Sequence, residues 1–295
     1  MNATGSRFHN SLWGSRLVSR THIVTTGLLM VLLLGVPGLA WAGDGGRFQN
    51  ERLILRAGIF FADYDSRIRF DDSLAATLGT DIDLERDLGL DESEEVFTGE
   101  LVLRLTHRQR FEFGYMSFGR SASKLLSFTI EFGGETFDAS TNVATTLDID
   151  VYRFAYGYSF VNSGTTEFGV TIGVHVLDIK ASIVDTAMVA INEKTDVTAP
   201  LPNIGVYAGR VLTKSLAVVG KVQLFLVEVD EFDGQLVNAT VALEYLPFRR
   251  ISGGHLLIGG GYSLFDLDFE STSTDFPGGF DFEVSGPIVY GGVRF

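Results

Sequence analysis

The chain has 295 residues, with 37 acidic against 23 basic side chains, a formal net charge of −14 and no cysteine. Disulfides and thiolate metal centres are excluded, and so acidic a chain makes a poor nucleic-acid partner because phosphate repels it. After the first 42 residues no apolar run has the ~20-residue length of a spanning helix, so entry into a membrane would have to be by strands.

The first 42 residues carry Arg7, Arg16 and Arg20 and no acid. Ile23 to Leu39 is mostly apolar, interrupted by Gly35, Pro37 and Gly38, and Ala40-Trp41-Ala42 sets small residues where a signal peptidase reads. This predicts a signal peptide over 1–42, cut before Gly43, followed by one domain over 43–295. An uncleaved anchor is the alternative; Pro37 and the Ala-x-Ala end speak against it.

A first strand is predicted at 51–61, with Leu53, Leu55, Ala57, Ile59 and Phe61 on one face and Arg52, Ile54, Arg56, Gly58 and Phe60 on the other. A long acidic stretch, 62–95, reads as a loop. The second strand covers 97–106: Phe97, Leu101, Leu103 and Leu105 oppose Thr98, Glu100, Val102 and Arg104. A tight connection at 107–110 leads to a third strand from Phe111 to about 132, with Phe113 and Tyr115 opposite Glu112 and Gly114. The strongest pattern comes next. Tyr152, Phe154, Tyr156, Tyr158 and Phe160 alternate with Val151, Arg153, Ala155, Gly157 and Ser159. After Asn162-Ser163-Gly164, Phe168, Val170, Ile172, Val174 and Val176 alternate with Glu167, Gly169, Thr171, Gly173 and His175, and this fifth strand extends toward 186. A period of two means strands with one apolar and one polar face.

Residues 188–199 read as a loop. The sixth strand, 201–212, has an ambiguous phase: Ile204, Val206 and Ala208 compete with Tyr207, Gly209 and Val211. In the seventh, Leu216, Val218, Val222, Leu224 and Leu226 alternate with Lys221 and Gln223; Asp233-Gly234 is a two-residue hairpin signal, and an eighth strand sets Val237, Val241, Leu243 and Tyr245 against Asn238, Thr240 and Glu244. The ninth begins near His255 and the last runs from about 280 to Phe295. Connections near 107, 163, 214 and 250 are short; those at 62–95, 133–145, 187–200, 228–235 and 270–279 are longer or acidic. Short turns on one rim and long loops on the other, with aromatic-rich stripes, predict an all-β fold: an antiparallel transmembrane β-barrel of about ten strands, eight or twelve being possible. Phe111, Phe160, Phe168, Tyr245 and Phe295 are expected in a girdle at the short-turn rim, and Phe61, Tyr152 and Phe265 in a second near the loops.

The chain ends Val289-Tyr290-Gly291-Gly292-Val293-Arg294-Phe295. A final strand closing on Phe, with Val293 and other apolar residues at alternate positions behind it, resembles the C-terminal signature of Gram-negative outer-membrane barrels. That resemblance implies recognition by the barrel-assembly machinery and residence in the outer membrane beside lipid and lipopolysaccharide. Gly291 and Pro287 depart from the large apolar residues usual on that face. Thr80-Asp81-Ile82-Asp83-Leu84-Glu85-Arg86-Asp87-Leu88-Gly89-Leu90, with Arg108, Arg110, Gly114-Tyr115 and His175-Val176-Leu177-Asp178, is similar to a group of proteobacterial outer-membrane barrel proteins over roughly 50–180; no activity attaches to that group.

The face opposite the lipid carries Arg56, Glu100, Arg104, Glu112, Arg153, Glu167, Lys221, Gln223 and Glu244. In a barrel of this size they read as an interlocked polar plug, compatible with narrow passage; a small-pore lining is the competing reading. Acids cluster at Asp63 to Asp72, Asp81 to Glu95 and Glu228 to Asp233. They are expected to be solvated loop residues, with Ca²⁺ or Mg²⁺ as possible partners of their oxygens; no EF-hand spacing is present. Ile82, Leu84, Leu88 and Leu90 suggest a short amphipathic segment folded over the mouth. No cofactor or catalytic motif is found. The alternative function is an outer-membrane hydrolase of lipid A or peptide, with a rim site around His175 and Asp178.

Overall fold

The computed structural model describes residues 51–70, 80–132, 135–186, 192–229, 232–247, 250–251, 254–271 and 278–295. The expected signal peptide lies outside the described residues, as do Asp71, Asp72, Asp230 and Glu231. Ten long strands follow one another: β1 Leu53–Phe70, β2 Ser93–Arg104, β3 Gln109–Leu125, β4 Asn142–Asn162, β5 Thr166–Asp185, β6 Asn192–Val211, β7 Leu216–Val229, β8 Phe232–Tyr245, β9 Gly254–Ser271 and β10 Gly278–Arg294. Each pairs antiparallel with its chain neighbours, and β1 pairs with β10, so the sheet closes into an up-and-down barrel without an edge. Closure satisfies every ladder between neighbours, which is what a bilayer requires of strands.

The faces of the barrel exchange character along its axis. In the short-turn half the outward residues are mostly apolar and half-buried to bare, the bare ones running from 37% exposed at Val170 to 73% at Leu226. Along β4 that outward row is Tyr152, Phe154, Tyr156, Tyr158 and Phe160, against inward Arg153 and Ser159. It covers about 27 Å of strand at ~3.4 Å per residue, or about 21 Å of height at a tilt of ~40°, close to the ~25 Å apolar band of membrane barrels. Toward the loops the same alternation continues with its polarity reversed. Outward positions become Asp150 and Asp148 on β4, Asp178, Lys180 and Ser182 on β5, and Asp63 and Asp65 on β1. Inward ones become Ile149 and Leu147, Leu177 and Ile183, and Tyr64 and Ile68, all buried. The chain is thus a transmembrane β-barrel below this line and, above it, a crown built like a water-soluble barrel, polar outside and greasy within. The solvent on the outer face sets both choices: apolar area is driven out of water, and charge is driven out of hydrocarbon.

The reversal moves several expected boundaries. The stretch 62–95 is not a loop throughout: β1 runs to Phe70 and β2 starts at Ser93. Likewise β4 begins at Asn142 and β6 at Asn192, inside stretches expected to be loops. The third strand ends at Leu125; Ile130–Phe132 and Glu135–Phe137 form a separate hairpin. Asp233-Gly234 is not the turn: Asp233 faces Glu228 and Gly234 faces Val227, so both residues lie within the β7–β8 ladder. In β6, Ile204 faces outward while Tyr207 and Val211 are buried inward. Phe265 is no girdle residue; it sits inside the barrel, 1% exposed.

An aromatic cluster fills the base of the crown. Phe118 meets Phe282 edge-on at 5.5 Å and Phe265 at 6.0 Å, and Tyr64 lies 5.9 Å from Phe282. Because β1 and β2 separate above Asp63–Ser93, the 80–92 segment takes the vacant place in the wall. Ile82 and Asp83 pair with Ile68 and Arg67, a turn follows, and Ile82, Leu84, Leu88 and Leu90 point into the core at 3% exposure or less. Gly89 adopts φ +76°, a conformation glycine takes without strain, where the chain turns back after Leu88. Ile130, Phe132 and Phe137 of the small hairpin join the same cluster.

Candidate functional site: the barrel interior

Below the aromatic layer the nine polar positions read from the alternation all lie on the inward face, and side chains from distant strands meet there. Glu100 (β2) is the hub. It accepts from Arg56 Nη1 at 2.7 Å (β1), from Lys221 Nζ at 2.7 Å (β7) and from Arg153 Nη2 (β4). Arg56 also reaches Glu244 on β8 through Nε at 3.0 Å. Arg153 Nη1 donates to Gln223 Oε1 on β7 at 3.0 Å and stands 3.3 Å from Glu112 on β3. Arg104 holds Glu167 of β5 through both Nη groups, at 2.7 and 2.6 Å. Arg56–Glu100 and Arg153–Glu112 join neighbouring strands, whereas the contacts of Glu100 with β4 and β7, of Arg56 with β8, of Arg153 with β7 and of Arg104 with β5 cross the interior and tie distant walls together.

Sequence reasoning missed several members of this network. Arg110, expected in the tight connection, pairs with Glu112 and lies 3.3 Å from the centre of the Tyr207 ring. Ser159 donates to Glu167 at 2.7 Å and bonds the Tyr207 hydroxyl at 2.8 Å, while Tyr290 donates to Glu244 at 3.2 Å. Parity gives away Arg110, Ser159 and Tyr290, which share a face with Glu112, Arg153 and Arg294 respectively; the undecided phase of β6 hid Tyr207. A cavity of ≈150 Å³ remains among these groups, lined by Arg56, Glu100, Arg110, Arg153, Lys221 and Glu244 among others. Of its lining atoms Arg104 Nε and Arg110 Nε are buried with no hydrogen-bond partner, and a polar space of this volume accommodates several waters for them.

His175 closes the polar layer from above. Its ring is fully buried, Nδ1 lies 2.9 Å from Asn203 Nδ2 and Nε2 3.3 Å from Asn238 Nδ2, and Phe265 stands edge-on at 6.4 Å. The rim dyad expected from His175 and Asp178 does not form. Three residues apart in a strand they point to opposite faces, and Asp178 pairs outside with Lys180 at 3.0 Å. Among the described residues the hydrogen-bond partners of His175 are the amides of Asn203 and Asn238, not a carboxylate or hydroxyl of the kind that orients or is activated by a catalytic imidazole. His107 and His255 are exposed at the short-turn end.

The described acids of the loop side do not gather into a cation cage; no group of three or more metal-ligating side chains converges among the described residues. Glu85 instead accepts from Arg120 and from Ser66 Oγ, and Asp87 is clasped by Arg86 at 2.9 Å through both Nε and Nη2. Arg120 lies 4.0 Å over the Tyr64 ring, which carries this buried charge into the apolar crown. At the other end Val293 faces outward and Phe295 is exposed; the Phe295 carbonyl accepts from the Arg52 and Leu53 amides at 2.6 and 3.2 Å.

No protein-family model matches the chain, and no curated protein sequence does. Among solved structures it is similar to the outer membrane protease OmpT from Escherichia coli, with 8% identity and a TM-score of 0.45 over 88% of this chain and 99% of that one. It is similar to a FadL homologue from Pseudomonas aeruginosa, with 9% identity and a TM-score of 0.33 over 88% and 95%. A third likeness is to the beta domain of the Bordetella autotransporter BrkA, with 11% identity and a TM-score of 0.30 over 85% and 99%. The closed ten-stranded antiparallel barrel with an apolar outer belt gives the chain the architecture of an outer-membrane β-barrel.

Proposed function

We propose that the protein is an integral barrel of the outer membrane with a sealed interior: a structural and surface-interaction barrel, not a diffusion pore. One observation carries this reading. The Glu100 hub links β1, β2, β4 and β7 at membrane level, and an apolar crown core lies directly above it. A solute moving along the axis would have to break several buried charge pairs and then cross hydrocarbon-like packing. Export by a cleaved segment at 1–42, insertion by the assembly machinery through Val293 and Phe295, and lipid and lipopolysaccharide as surroundings belong to the same proposal. Divalent cations at the acidic loop side belong to it at carboxylates other than Asp87 and Glu85, which Arg86 and Arg120 already neutralise.

Single-channel recording in a planar bilayer tests it. The expected trace is flat at moderate voltage. Stable conductance steps from protein with heat-modifiable gel mobility would overturn the sealed reading.

A further inference from the structure

The crown contains a second cavity, ≈70 Å³, of opposite character. Ile68, Leu147, Leu177, Leu201, Phe225 and Phe280 line it, and its wall is almost wholly carbon. It lies off the axis. The 80–92 segment and the 130–137 hairpin pack near β1 and β3, while the cavity is walled mainly by β4 to β10. Leu177 forms part of its wall, two residues from His175 on the same inward face, so hydrocarbon gives way to the polar layer within one step of the strand. Two of its wall positions are small: Ala199 faces Leu177 across the β5–β6 ladder, and Ala181 is on the same face of β5. A void of this kind forfeits dispersion contacts on every wall, and apolar cavities stay dry and take up apolar guests.

We infer that this chamber is a binding site for a small, uncharged hydrocarbon-like molecule, of single-aromatic-ring size or less. Gln235 and Asp268 also border it, but they occupy outward positions of the β8–β9 ladder, level with lipid-facing Leu226, so the inner wall is carbon and an unpaired polar group would be buried at a loss. The cavity is smaller than the ~150 Å³ engineered void that accepts benzene, so a ring enters with some movement of its wall, of which the Phe225 ring is a part. Entry is from the loop end, because the charged layer below is as hostile to hydrocarbon as the crown is to ions. The inference rests on the reversed polarity of the crown and not on the sealing of the lower half.

The experiment is a benzene titration of methyl-labelled protein in lipid nanodiscs, read by NMR. Methyls of Ile68, Leu147, Leu177 and Leu201 should shift and saturate. Lipid-facing Leu226 and Leu243 should shift linearly as benzene partitions into the bilayer. Ala199→Leu, and separately Ala181→Leu, should weaken the saturable shift at least tenfold while gel mobility stays that of the folded barrel. Chamber methyls that stay still would overturn the inference. So would shifts that track Leu226 without saturating, or saturation unchanged in both variants. Conductance steps in the bilayer experiment would remove the sealed reading and leave this titration untouched.

Discussion

Asp150 and Asp178 stand directly opposite one another on the outward face of the β4–β5 ladder, one outward position above Tyr152 and Val176. Like charges so placed repel unless water screens them. Their neighbours point the same way: the Tyr115 hydroxyl donates to Asp150 at 2.8 Å, and Lys180 caps Asp178 at 3.0 Å. The pair marks where hydrocarbon ends.

A charge placed on the outer face reads that line. Phe154→Arg, in the middle of the aromatic row, should lower folding free energy in vesicles by about 2–4 kcal/mol. Ser182→Arg, on the outward face of the crown, should change it by less than about 0.5 kcal/mol. Denaturant titration of both variants in the same lipid is the comparison; equal penalties would place Ser182 in the bilayer.

Glu100 neutralises three cations at once. Glu100→Ala leaves Arg56, Arg153 and Lys221 short of a counter-charge in a buried layer, and the expected loss is about 3–5 kcal/mol. Pairing it with Lys221→Met should recover part of that loss, a coupling a double-mutant cycle measures directly.

The crown should behave as an ordinary hydrophobic core. Phe282→Ala removes a fully buried ring that touches Tyr64, Phe118 and Phe265 and should cost about 3–5 kcal/mol. Faster amide exchange should be concentrated in the crown halves of β1 and β10, with the lower half of the barrel still protected.

Acid should loosen the 80–92 segment. Partial burial opposes ionisation of Asp87, but hydrogen bonds from Arg86 and from the Asp83 amide prevail and hold its carboxyl below the ordinary value of 3.8. A depressed carboxylate stabilises the fold above that ordinary value, and the contribution is lost as pH falls through the lowered one. Amide exchange at Leu84 to Leu90 should therefore accelerate below about pH 3.8, and Asp87→Asn should show the loosened behaviour already at neutral pH. Unchanged exchange across that range would remove the clasp from the account.

The lower half of the barrel was legible because its signal is redundant. Tyr152 to Phe160 and Phe168 to Val176 put large apolar groups at every second position, and the polar network follows by parity. The crown was not, although its alternation is just as regular. Leu147, Ile149 and Val151 sit between Thr146, Asp148 and Asp150, a pattern that short windows around Asp or Ser mistake for loop. What changes at Asp63, Asp150 and Asp178 is which parity is greasy, and that depends on the solvent outside, not on the chain. The hairpin at 130–137 and the wall segment at 80–92 were harder still. Their apolar residues are anchored by tertiary contact with the crown core, not by a period of their own.

The exchange of faces also keys the barrel against sliding. A one-residue slip of β4 against its neighbours would turn Arg153 toward acyl chains and, in the same movement, Leu147 and Ile149 toward water, so two solvents veto the same error independently. A vertical shift of the whole molecule meets the same double objection: sinking drags Asp150 and Asp178 into oil, and rising strands Tyr152 and Val176 in water. The depth at which the protein floats is therefore written into the strands themselves.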